Sequence, residues 1–435
     1  MNAYFYALGC KVNQYETQAM MRLLRQHGYT TAVYHAALAD VGEAVIVLNS
    51  CTVTSESDRK LRQLLRRVRR DNPHAIIAVG GCLPQAFPDV DLPDVDILMG
   101  NAARRDLPAL ITQFLLTRER VVAIPPHTKT VEPLCIEDFE ERTRAFVKIE
   151  DGCDRFCSYC IIPFARGRVR SRSPQEITDE LRTLASAGYR EVVLVGINLT
   201  SYGKDNGLSL ADAVDAACAV DGIDRVRLGS LEPDHMTDEL LSRLAAQSKL
   251  CPQFHVALQS GCDATLKRMN RHYTTAEFEA LCKRLRAAFP ACSLTTDVMV
   301  GFAGETEEDF AASLDFTVRM GFSKVHVFPY SRRDGTRAAA FGGQLENSVK
   351  TDRAHRMTTA CEAVREQILQ QTVGTVQHVL CETRTADGDT VGYTVGYLPC
   401  RIDDTIEAGT TVAVQVYKAE NDTLFAHIIH AEKES

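Results

Sequence analysis

Between Ala145 and Gln371, six strand-like apolar runs alternate with segments of helical character. The runs read, in order, AFVKI, EVVLVGIN, RVRLGSLEP, FHVALQSG, LTTDVMVGF and KVHVFPYS. Strands that alternate with helices pair in parallel, because a crossover helix returns the chain to the same end of the sheet. Six βα units predict a parallel barrel that is short of the usual eight. We therefore expect residues 144–371 to form a partial (βα)6 barrel in an α/β protein.

The first 112 residues show the same alternation. AYFYALG, EAVIVLNS, AIIAVGG and DILMG each lead into a polar or helical segment, which predicts an open parallel α/β sheet for residues 1–112. Residues 113–143 contain Pro125, Pro126 and Pro133 and turn acidic at Glu137–Glu141, so we expect a linker with few contacts.

The tail, residues 372–435, changes to short alternating runs separated by the turn signals DGD, EAG and END. This pattern predicts a small antiparallel β-barrel. The tail holds four Lys/Arg and ten Asp/Glu, a net of −6 by subtraction, so its charge does not favour phosphate binding.

Charge, apolar runs and cysteine number limit the class of protein and its location. A net charge of −8 argues against a protein that coats nucleic acid indiscriminately, but it leaves room for local basic patches. No run of eighteen apolar residues appears, and MNAYFYALGC lacks a basic region ahead of an apolar core, so we expect a cytoplasmic protein without a membrane partner. Fifteen cysteines in a reducing compartment indicate metal binding or chemistry more than disulfides.

The stretch EDGCDRFCSYC holds three cysteines at C-x3-C-x2-C spacing just after the first barrel strand: Cys153, Cys157 and Cys160. Active sites of parallel barrels collect at that edge. Three thiolates can hold an iron–sulfur cluster and leave one coordination position open to a small molecule. A zinc knuckle or a chance grouping is the alternative, although His127 is too far upstream to complete a local knuckle.

A second set of cysteines follows three strands of the first domain: Cys10, Cys51 and Cys82. Parallel strands deliver their carboxyl ends to one edge of a sheet, so these thiols should converge. Packing residues or a small redox site are the alternatives. Glycines directly precede two of these cysteines, where close approach of a bulky inorganic group would need them: Gly9, Gly80 and Gly81.

The form C-x3-C-x-aromatic-C, with Tyr159 as the aromatic residue, resembles the radical S-adenosylmethionine (SAM) superfamily. With GCKVNQYET, NSCTVTSESDRK, GGCLPQ, VGINLTSYG, RLGSLEP and LQSGCD, nearly the whole chain is similar to the methylthiotransferase family of radical SAM enzymes. The resemblance implies two [4Fe-4S] clusters with three cysteine ligands each, SAM bound at the Cys153/Cys157/Cys160 cluster, and an RNA-binding TRAM domain as the tail.

The resemblance also implies the reaction. Lys11 and Val12 in GCKVNQYE look like the branch that methylthiolates C2 of N6-threonylcarbamoyladenosine at tRNA position 37. Isopentenyladenosine-37 of tRNA, an aspartate of a ribosomal protein, and a non-catalytic metal-bound RNA module are the alternatives. The expected partners are the tRNA anticodon loop, an electron donor such as flavodoxin or ferredoxin, and a sulfide source.

Further site residues are predicted from their positions. Besides Tyr159, residues at strand ends are candidates for holding SAM, although such residues often only cap helices: Asn198, Gln259, Ser260 and Gly301. Arginines after the cysteine loop and on the basic helix Ser57–Arg70 are candidates for RNA contact: Arg66, Arg70, Arg166, Arg168, Arg170 and Arg172. A solvated helix face, or folding back on acidic neighbours, is the alternative. Arg332 and Arg333 are candidates to meet the carboxylate of the threonylcarbamoyl group.

Overall fold

The computed structural model describes residues 1–35, 37–140 and 142–429. The first domain is an open parallel sheet of strands β1 (Asn2–Ala7), β2 (Thr30–Val33), β3 (Val45–Ser50), β4 (Ile76–Gly81), β5 (Ile97–Met99) and β6 (Val121–Ala123). The strand order is β2-β1-β3-β4-β5-β6. The sequence pattern correctly predicts the parallel sheet and its four inner strands, but it misses the short edge strands β2 and β6.

Helices cover both faces of this sheet: α1 (Lys11–Gln26), α2 (Ser55–Asp71), α3 (Cys82–Ala86), a 3-10 turn (Asn101–Asp106) and α4 (Leu107–Thr117). Helix α2 is the predicted basic helix. It begins after Thr54, whose hydroxyl accepts the Ser57 amide at 3.2 Å. Its apolar side chains Leu61, Leu65 and Val68 are buried against the sheet, each contributing about 1.5–3 kcal/mol. The arginines of α2 therefore occupy its outer face.

The predicted linker is wrong in two respects. Helix α4 and strand β6 extend the first domain past residue 112, and β6 pairs with β5. The segment after β6 is also packed, because Ile136 and Phe139 are buried in the core of the middle domain. Ile136, just before the acidic run, and Phe139, within it, anchor this segment. Glu141 of the acidic run lies outside the described residues.

The middle domain contains β7 (Arg144–Lys148), β8 (Glu150–Asp151), β9 (Arg170–Ser171), β10 (Glu191–Val195), β11 (Arg225–Leu228), β12 (Ser230–Leu231), β13 (Gln253–Val256), β14 (Ser293–Val300) and β15 (Lys324–Pro329). The six predicted runs form two parallel sheets, β7-β10-β11 and β12-β13-β14-β15. The run RVRLGSLEP supplies both β11 and β12, which Gly229 separates. The predicted parallel α/β barrel is confirmed, with its third strand broken at this glycine.

Helices follow the strands in turn: α5 (Ile162–Arg166), α6 (Pro174–Ser186), α7 (Leu210–Cys218), α8 (Asp238–Ala245), α9 (Asp263–Arg268), α10 (Thr275–Ala288), α11 (Glu307–Arg319) and α12 (Asn347–Thr372). Single 3-10 turns cover Leu199–Ser201, Pro233–His235 and Arg337–Ala340. Capping boxes at the starts of α6, α7, α10 and α11 satisfy amides that helix geometry leaves free. No helix of the described residues has both the length and the apolar character to cross a membrane.

The third domain is a closed barrel of strands β16 (Val376–Arg384), β17 (Thr390–Thr394), β18 (Pro399–Ile402), β19 (Thr411–Glu420) and β20 (Thr423–Ile428). Their order is β16-β17-β18-β20-β19, which confirms the predicted small β-barrel. Residues 430–435 of the predicted tail domain lie outside the described residues.

The third domain packs against the amino-terminal ends of the barrel strands. Tyr393 and Tyr397 stack with their ring centroids 4.7 Å apart, and the Arg144 guanidinium lies 4.9 and 4.8 Å from the two rings. Arg144 also pairs with Glu382 at 2.6 Å, and Arg227 donates to the Val395 carbonyl at 2.8 Å. The third domain thus closes the end of the barrel that lies opposite the cysteine loop.

Candidate active site

Cys10, Cys51 and Cys82 lie at one edge of the first sheet. Cys10 precedes α1 directly after β1, Cys51 follows β3, and Cys82 begins α3 after β4. Because β1, β3 and β4 are neighbours, their carboxyl ends deliver the three thiols to one place. Burial raises the pKa of Cys51 to about 12, and the nearby thiols of Cys82 and Cys10 add to the rise. The structure therefore brings together three cysteines that are far apart in sequence.

Gly80 and Gly81 are predicted from the sequence to give room to an inorganic group, but the structure shows another reason for them. A Cβ on Gly81, where φ is +103°, would clash with a backbone carbonyl of β3, and a Cβ on Gly80 would lie 2.7 Å from Met99. Both glycines are needed for packing within the protein. At Gly9 a Cβ would lie 2.8 Å from Cys51 Sγ, so this glycine leaves room for the cysteine itself, and the approach of an inorganic group there stays a prediction.

Cys153, Cys157 and Cys160 lie in the loop between β8 and α5, on the carboxyl side of β7. Burial raises the pKa of Cys153 to about 12 and also raises the pKa of Cys160. Arg271 donates from Nη1 to Cys157 Sγ at 3.2 Å. A guanidinium beside a thiol stabilises the thiolate, which is the form that binds metal.

The spacing of the thiols suits a group larger than one metal ion. Thiolates on a single zinc ion, with bonds of about 2.3 Å, would have sulfur atoms about 3.8 Å apart. Among the described residues, a metal-ligating trio within 4.8 Å is formed by His255, Asp297 and His326, and neither cysteine triplet is so compact. Soft thiolate donors at wider spacing fit an iron–sulfur cluster and disfavour the zinc alternative.

A buried ionic cluster joins the loop of the second triplet to the first domain. Arg166 of α5 donates to Glu16 Oε1 at 2.7 Å, to Asn13 Oδ1 at 2.6 Å and to Asp151 Oδ1 at 3.1 Å. Burial opposes ionisation of Glu16, but Arg104 and Arg166 outweigh it and lower its pKa to about 2. Since Glu16 and Asn13 belong to α1, Arg166 ties the two triplets to each other.

Arg166 is 1% exposed, so the prediction that it contacts RNA is wrong. The same prediction is wrong for Arg170 and Arg172, which are both buried. Arg170 donates to the Arg166 carbonyl at 2.9 Å, and Arg172 pairs with Glu180. These three guanidinium groups fold back onto the protein because buried carboxylates and carbonyls satisfy them. Three predicted RNA-binding arginines remain on the surface and stay predictions: Arg66, Arg70 and Arg168.

Three of the predicted SAM-binding residues lie beside the second triplet. The amide nitrogen of Asn198 is 3.9 Å from Cys153 Sγ. Tyr159 and Gln259 line a cavity of about 260 Å³ together with Cys160. Their positions leave the predicted contacts with SAM open to test.

Ser260 and Gly301 do not reach this cavity. The Ser260 side chain is fully buried, and its hydroxyl accepts the Cys262 amide at 3.3 Å. The Gly301 amide donates to Glu305 at 2.6 Å, and a Cβ at Gly301 would lie 2.5 Å from Lys350. The predictions for Ser260 and Gly301 are therefore wrong, because both residues serve turns at strand ends.

The 260 Å³ cavity lies beside the second triplet, where Cys160 lines it, and it extends to the first domain. The first domain contributes Val53 and Thr54, two and three residues after Cys51. Side chains of β14 and the segment after β15 complete it: Asp297, Met299, Phe328 and Tyr330.

A wider cavity of about 530 Å³ opens nearby, with Arg332 and Arg333 in its wall. Arg333 donates to Asp58 at 2.7 Å and to Thr52 at 2.6 Å, and its side chain is 6% exposed. It joins the barrel to the first domain, so the prediction that it meets a substrate carboxylate is wrong. Arg332 is exposed at the rim and remains a candidate.

Sequence reasoning missed two residues at the site. Arg271, which contacts Cys157, is 114 positions away in the chain, and no spacing pattern pairs them. Burial raises the pKa of Glu150 to about 8, and its Oε2 accepts the amides of Ile197 and Asn198 at 2.7 and 2.8 Å. The only signal for Glu150 was its place at the start of the cysteine stretch.

Comparison with known proteins agrees with this arrangement. Residues 147–317 match the Radical SAM superfamily, residues 2–100 match the Uncharacterized protein family UPF0004, and residues 370–429 match the TRAM domain. The structure of TsrM from Kitasatospora setae, a radical S-adenosylmethionine methyltransferase, superposes with a TM-score of 0.56 at 15% identity, covering 90% of this chain and 80% of that one. That similarity concerns the fold.

Curated relatives extend over nearly the full length. The threonylcarbamoyladenosine tRNA methylthiotransferase MtaB of Bacillus subtilis is 37% identical over 98% of this chain and 97% of its own. The MtaB of Thermotoga maritima is 36% identical over 90% and 88%. A tRNA-2-methylthio-N(6)-dimethylallyladenosine synthase of Pelotomaculum thermopropionicum is 35% identical over 86% and 85%.

The barrel, the three-cysteine loop at its carboxyl edge and the superfamily match define a radical SAM enzyme, which binds an iron–sulfur cluster and SAM. The first domain adds another cysteine triplet, which buried contacts of Arg166 with Asn13 and Glu16 join to the loop of the first-mentioned cysteines. With the full-length relatives, these features place the chain more narrowly: it belongs to the radical SAM methylthiotransferase family.

Proposed function

We propose that the protein methylthiolates tRNA at C2 of N6-threonylcarbamoyladenosine in position 37. The presence of two cysteine triplets in one site, joined through Arg166 and accompanied by a cavity of about 260 Å³ at Cys160, carries this proposal, because a base needs one site for activation and one for sulfur. The relatives named threonylcarbamoyladenosine tRNA methylthiotransferase, at 34–37% identity, support the choice of base.

The two triplets would each hold one [4Fe-4S] cluster through three thiolates, at Cys153, Cys157 and Cys160 and at Cys10, Cys51 and Cys82. When bound, the clusters and SAM supply the radical, the sulfur and the methyl group. Asn198, Gln259 and Tyr159 would contact SAM; their proximity to Cys153 and Cys160 supports this role. An electron donor such as flavodoxin or ferredoxin and a sulfide source are required as partners, and we expect the cytoplasm as the location.

The protein's own residues fix the geometry. Arg166 and Glu16 hold the first domain against the loop of the second triplet, which keeps the separation of the triplets constant. Apolar side chains in the cavity wall, Val53, Met299 and Phe328, exclude water from a bound base. A base of the anticodon loop must leave its stack to enter, at a cost of about a few kcal/mol. Exposed arginines would bind the RNA backbone: Arg66, Arg70 and Arg168.

A second candidate base is dimethylallyladenosine. Relatives named tRNA-2-methylthio-N(6)-dimethylallyladenosine synthase reach 33–37% identity, so overall similarity does not separate the two bases. The difference lies in the group on N6, which is charged in the first case and apolar in the second.

The test is mass spectrometry of tRNA nucleosides after reaction with anaerobically reconstituted protein. Anticodon stem–loops that carry threonylcarbamoyladenosine, dimethylallyladenosine or unmodified adenosine are compared, with Cys157→Ala as the inactive control. We expect a methylthio product on the threonylcarbamoyl substrate. A product on the dimethylallyl substrate alone would move the proposal to the second candidate, and no product on either RNA would point to another acceptor, such as a ribosomal-protein aspartate.

A further inference from the structure

A third cavity, of about 280 Å³, lies in the lumen of the barrel on the side away from the cysteine loop. Thr295 of β14 lines it, and Asp297, two residues further along the same face of β14, lines the 260 Å³ cavity at Cys160. Two residues of a strand span about 7 Å. Tyr393 and Tyr397 of the third domain are part of its lining. This lumen cavity is therefore a neighbour of the 260 Å³ cavity on the side of the third domain.

Lys11 reaches into the lumen cavity from the first domain, where it directly follows Cys10. Its side chain is accessible there, and among the described residues no carboxylate lies within ion-pair distance of its ammonium, although the charge of Asp297 acts on it from farther away. Lys324, another lysine of this cavity, pairs with Asp422 at 3.8 Å. Among the described residues, Lys11 is thus a cation without a carboxylate in direct contact, one residue from a cysteine of the first triplet.

The surroundings of Lys11 carry excess positive charge. Three guanidinium groups converge on the single carboxylate of Glu191, at 3.5, 3.5 and 3.0 Å: Arg144, Arg225 and Arg227. Glu382 neutralises one more of these charges through Arg144. Asp297 acts on Lys11 in addition, so these four cations exceed the three carboxylates by one charge. This excess gives the lumen a positive potential that attracts an anion.

His255, Asp297 and His326, on three neighbouring strands, also have their ligand atoms within 4.8 Å of one another. Asp297 is already engaged, since its Oδ2 lies 3.2 Å from His255 Nε2. A divalent cation at this trio would add to the positive excess around Lys11. The charge balance therefore favours an anionic occupant of the lumen over a metal ion.

We propose that Lys11 binds the carboxylate on the N6 substituent of the target adenine and so selects threonylcarbamoyladenosine over uncharged modifications. This inference rests on the proposed function. With bonds of about 1.3–1.5 Å, the carboxylate carbon of a threonylcarbamoyl group lies about 5 Å from N6, which suits the short step between the two cavities. A dimethylallyl chain would leave the ammonium without its partner, and such a loss opposes binding.

The test measures binding of reconstituted holoenzyme to anticodon stem–loops by fluorescence anisotropy. One RNA carries threonylcarbamoyladenosine, and the other carries its carboxamide analogue, which keeps the shape but lacks the charge. We expect the wild-type protein to prefer the acid by about tenfold or more, the range of one charge-assisted hydrogen bond. Lys11→Met should abolish this preference, and Lys11→Arg should retain most of it. Lys11→Gln replaces Lys11→Met if the latter fails to fold.

Lys324→Met is the matched control, because it removes a lysine of the same cavity that is paired with Asp422. Iron content equal to that of the wild type shows that the cysteine sites are intact in each variant. An unchanged preference in Lys11→Met, or loss of preference in Arg332→Ala instead, would overturn the inference. Failure of the wild type to methylthiolate the threonylcarbamoyl RNA would instead count against the proposed function.

Discussion

Replacing Arg166 by Met removes one cation from the buried cluster and keeps a side chain of similar length. Glu16 and Asp151, both almost fully buried, each lose a partner. Breaking a buried ion pair on one side costs about 3–5 kcal/mol. The pKa of Glu16 gives an independent measure of its environment: about 2 in the folded protein against about 4.3 in an unfolded chain corresponds to about 3 kcal/mol.

The sign follows from the lowered pKa. Because the folded protein holds Glu16 ionised, this stabilisation is present above about pH 4.3 and is lost as the pH falls through about 2. We therefore expect Arg166→Met to lower the free energy of unfolding by about 3–5 kcal/mol at neutral pH, with a smaller difference from wild type in strong acid.

Thermal unfolding under anaerobic conditions measures the effect, and a loss of this size should lower Tm by at least about 5 °C. Arg168→Met is the control, because Arg168 is two residues away, its side chain is 74% exposed, and exposed pairs contribute about 0–1 kcal/mol. Equal Tm values for Arg166→Met and Arg168→Met would refute the assignment of Arg166 as the tie between the two triplets.

Three further predictions concern the cysteine sites and their neighbours. Iron analysis should give about eight irons per wild-type chain, and both Cys157→Ala and Cys51→Ala should halve this number. Cys157→Ala should also abolish reductive SAM cleavage, whereas Cys51→Ala should leave it measurable; equal effects on cleavage would contradict separate roles for the two triplets. Arg271→Met should lower the reduction potential of the cluster at Cys157 in a redox titration followed by electron paramagnetic resonance, because a positive charge beside the thiolate is lost; an unchanged potential would exclude that role. In urea unfolding, the free energy of unfolding should fall between about pH 4.3 and 8, because the folded protein keeps Glu150 protonated while the unfolded chain releases the proton. This pH-dependent loss should be absent in Glu150→Gln, and its persistence there would assign it to another group.

The sequence pattern predicts the parts of the fold that depend on periodicity. Buried parallel strands are continuous apolar runs, so the inner strands of the first domain and the barrel strands could be located. The edge strands β2 and β6, with the short sequences TTAV and VVA, lack that signal because they have one neighbour each and are partly exposed.

The errors at the site have one physical cause: sequence does not show which long side chains find buried partners. Alternating arginines after Cys160 look like an RNA-binding face, but Glu16, 150 positions from Arg166, draws one of them into the core. Arg333 likewise pairs with Asp58, 275 positions away in the chain. The cysteines, by contrast, follow strands directly, so sheet topology alone determines where they meet.

The closure of the barrel floor by the third domain bears on how the enzyme can be dissected. Arg144, Arg225 and Arg227 take partners from that domain, at Glu382 and at the carbonyls of His378 and Val395. A chain truncated after α12 would leave these guanidinium groups at an open, water-filled mouth directly beneath Lys11. A change in RNA binding by such a fragment could come from the altered lumen cavity as well as from the missing domain. Substitutions on the outer surface of β16–β20 therefore measure the contribution of the third domain to RNA binding more directly.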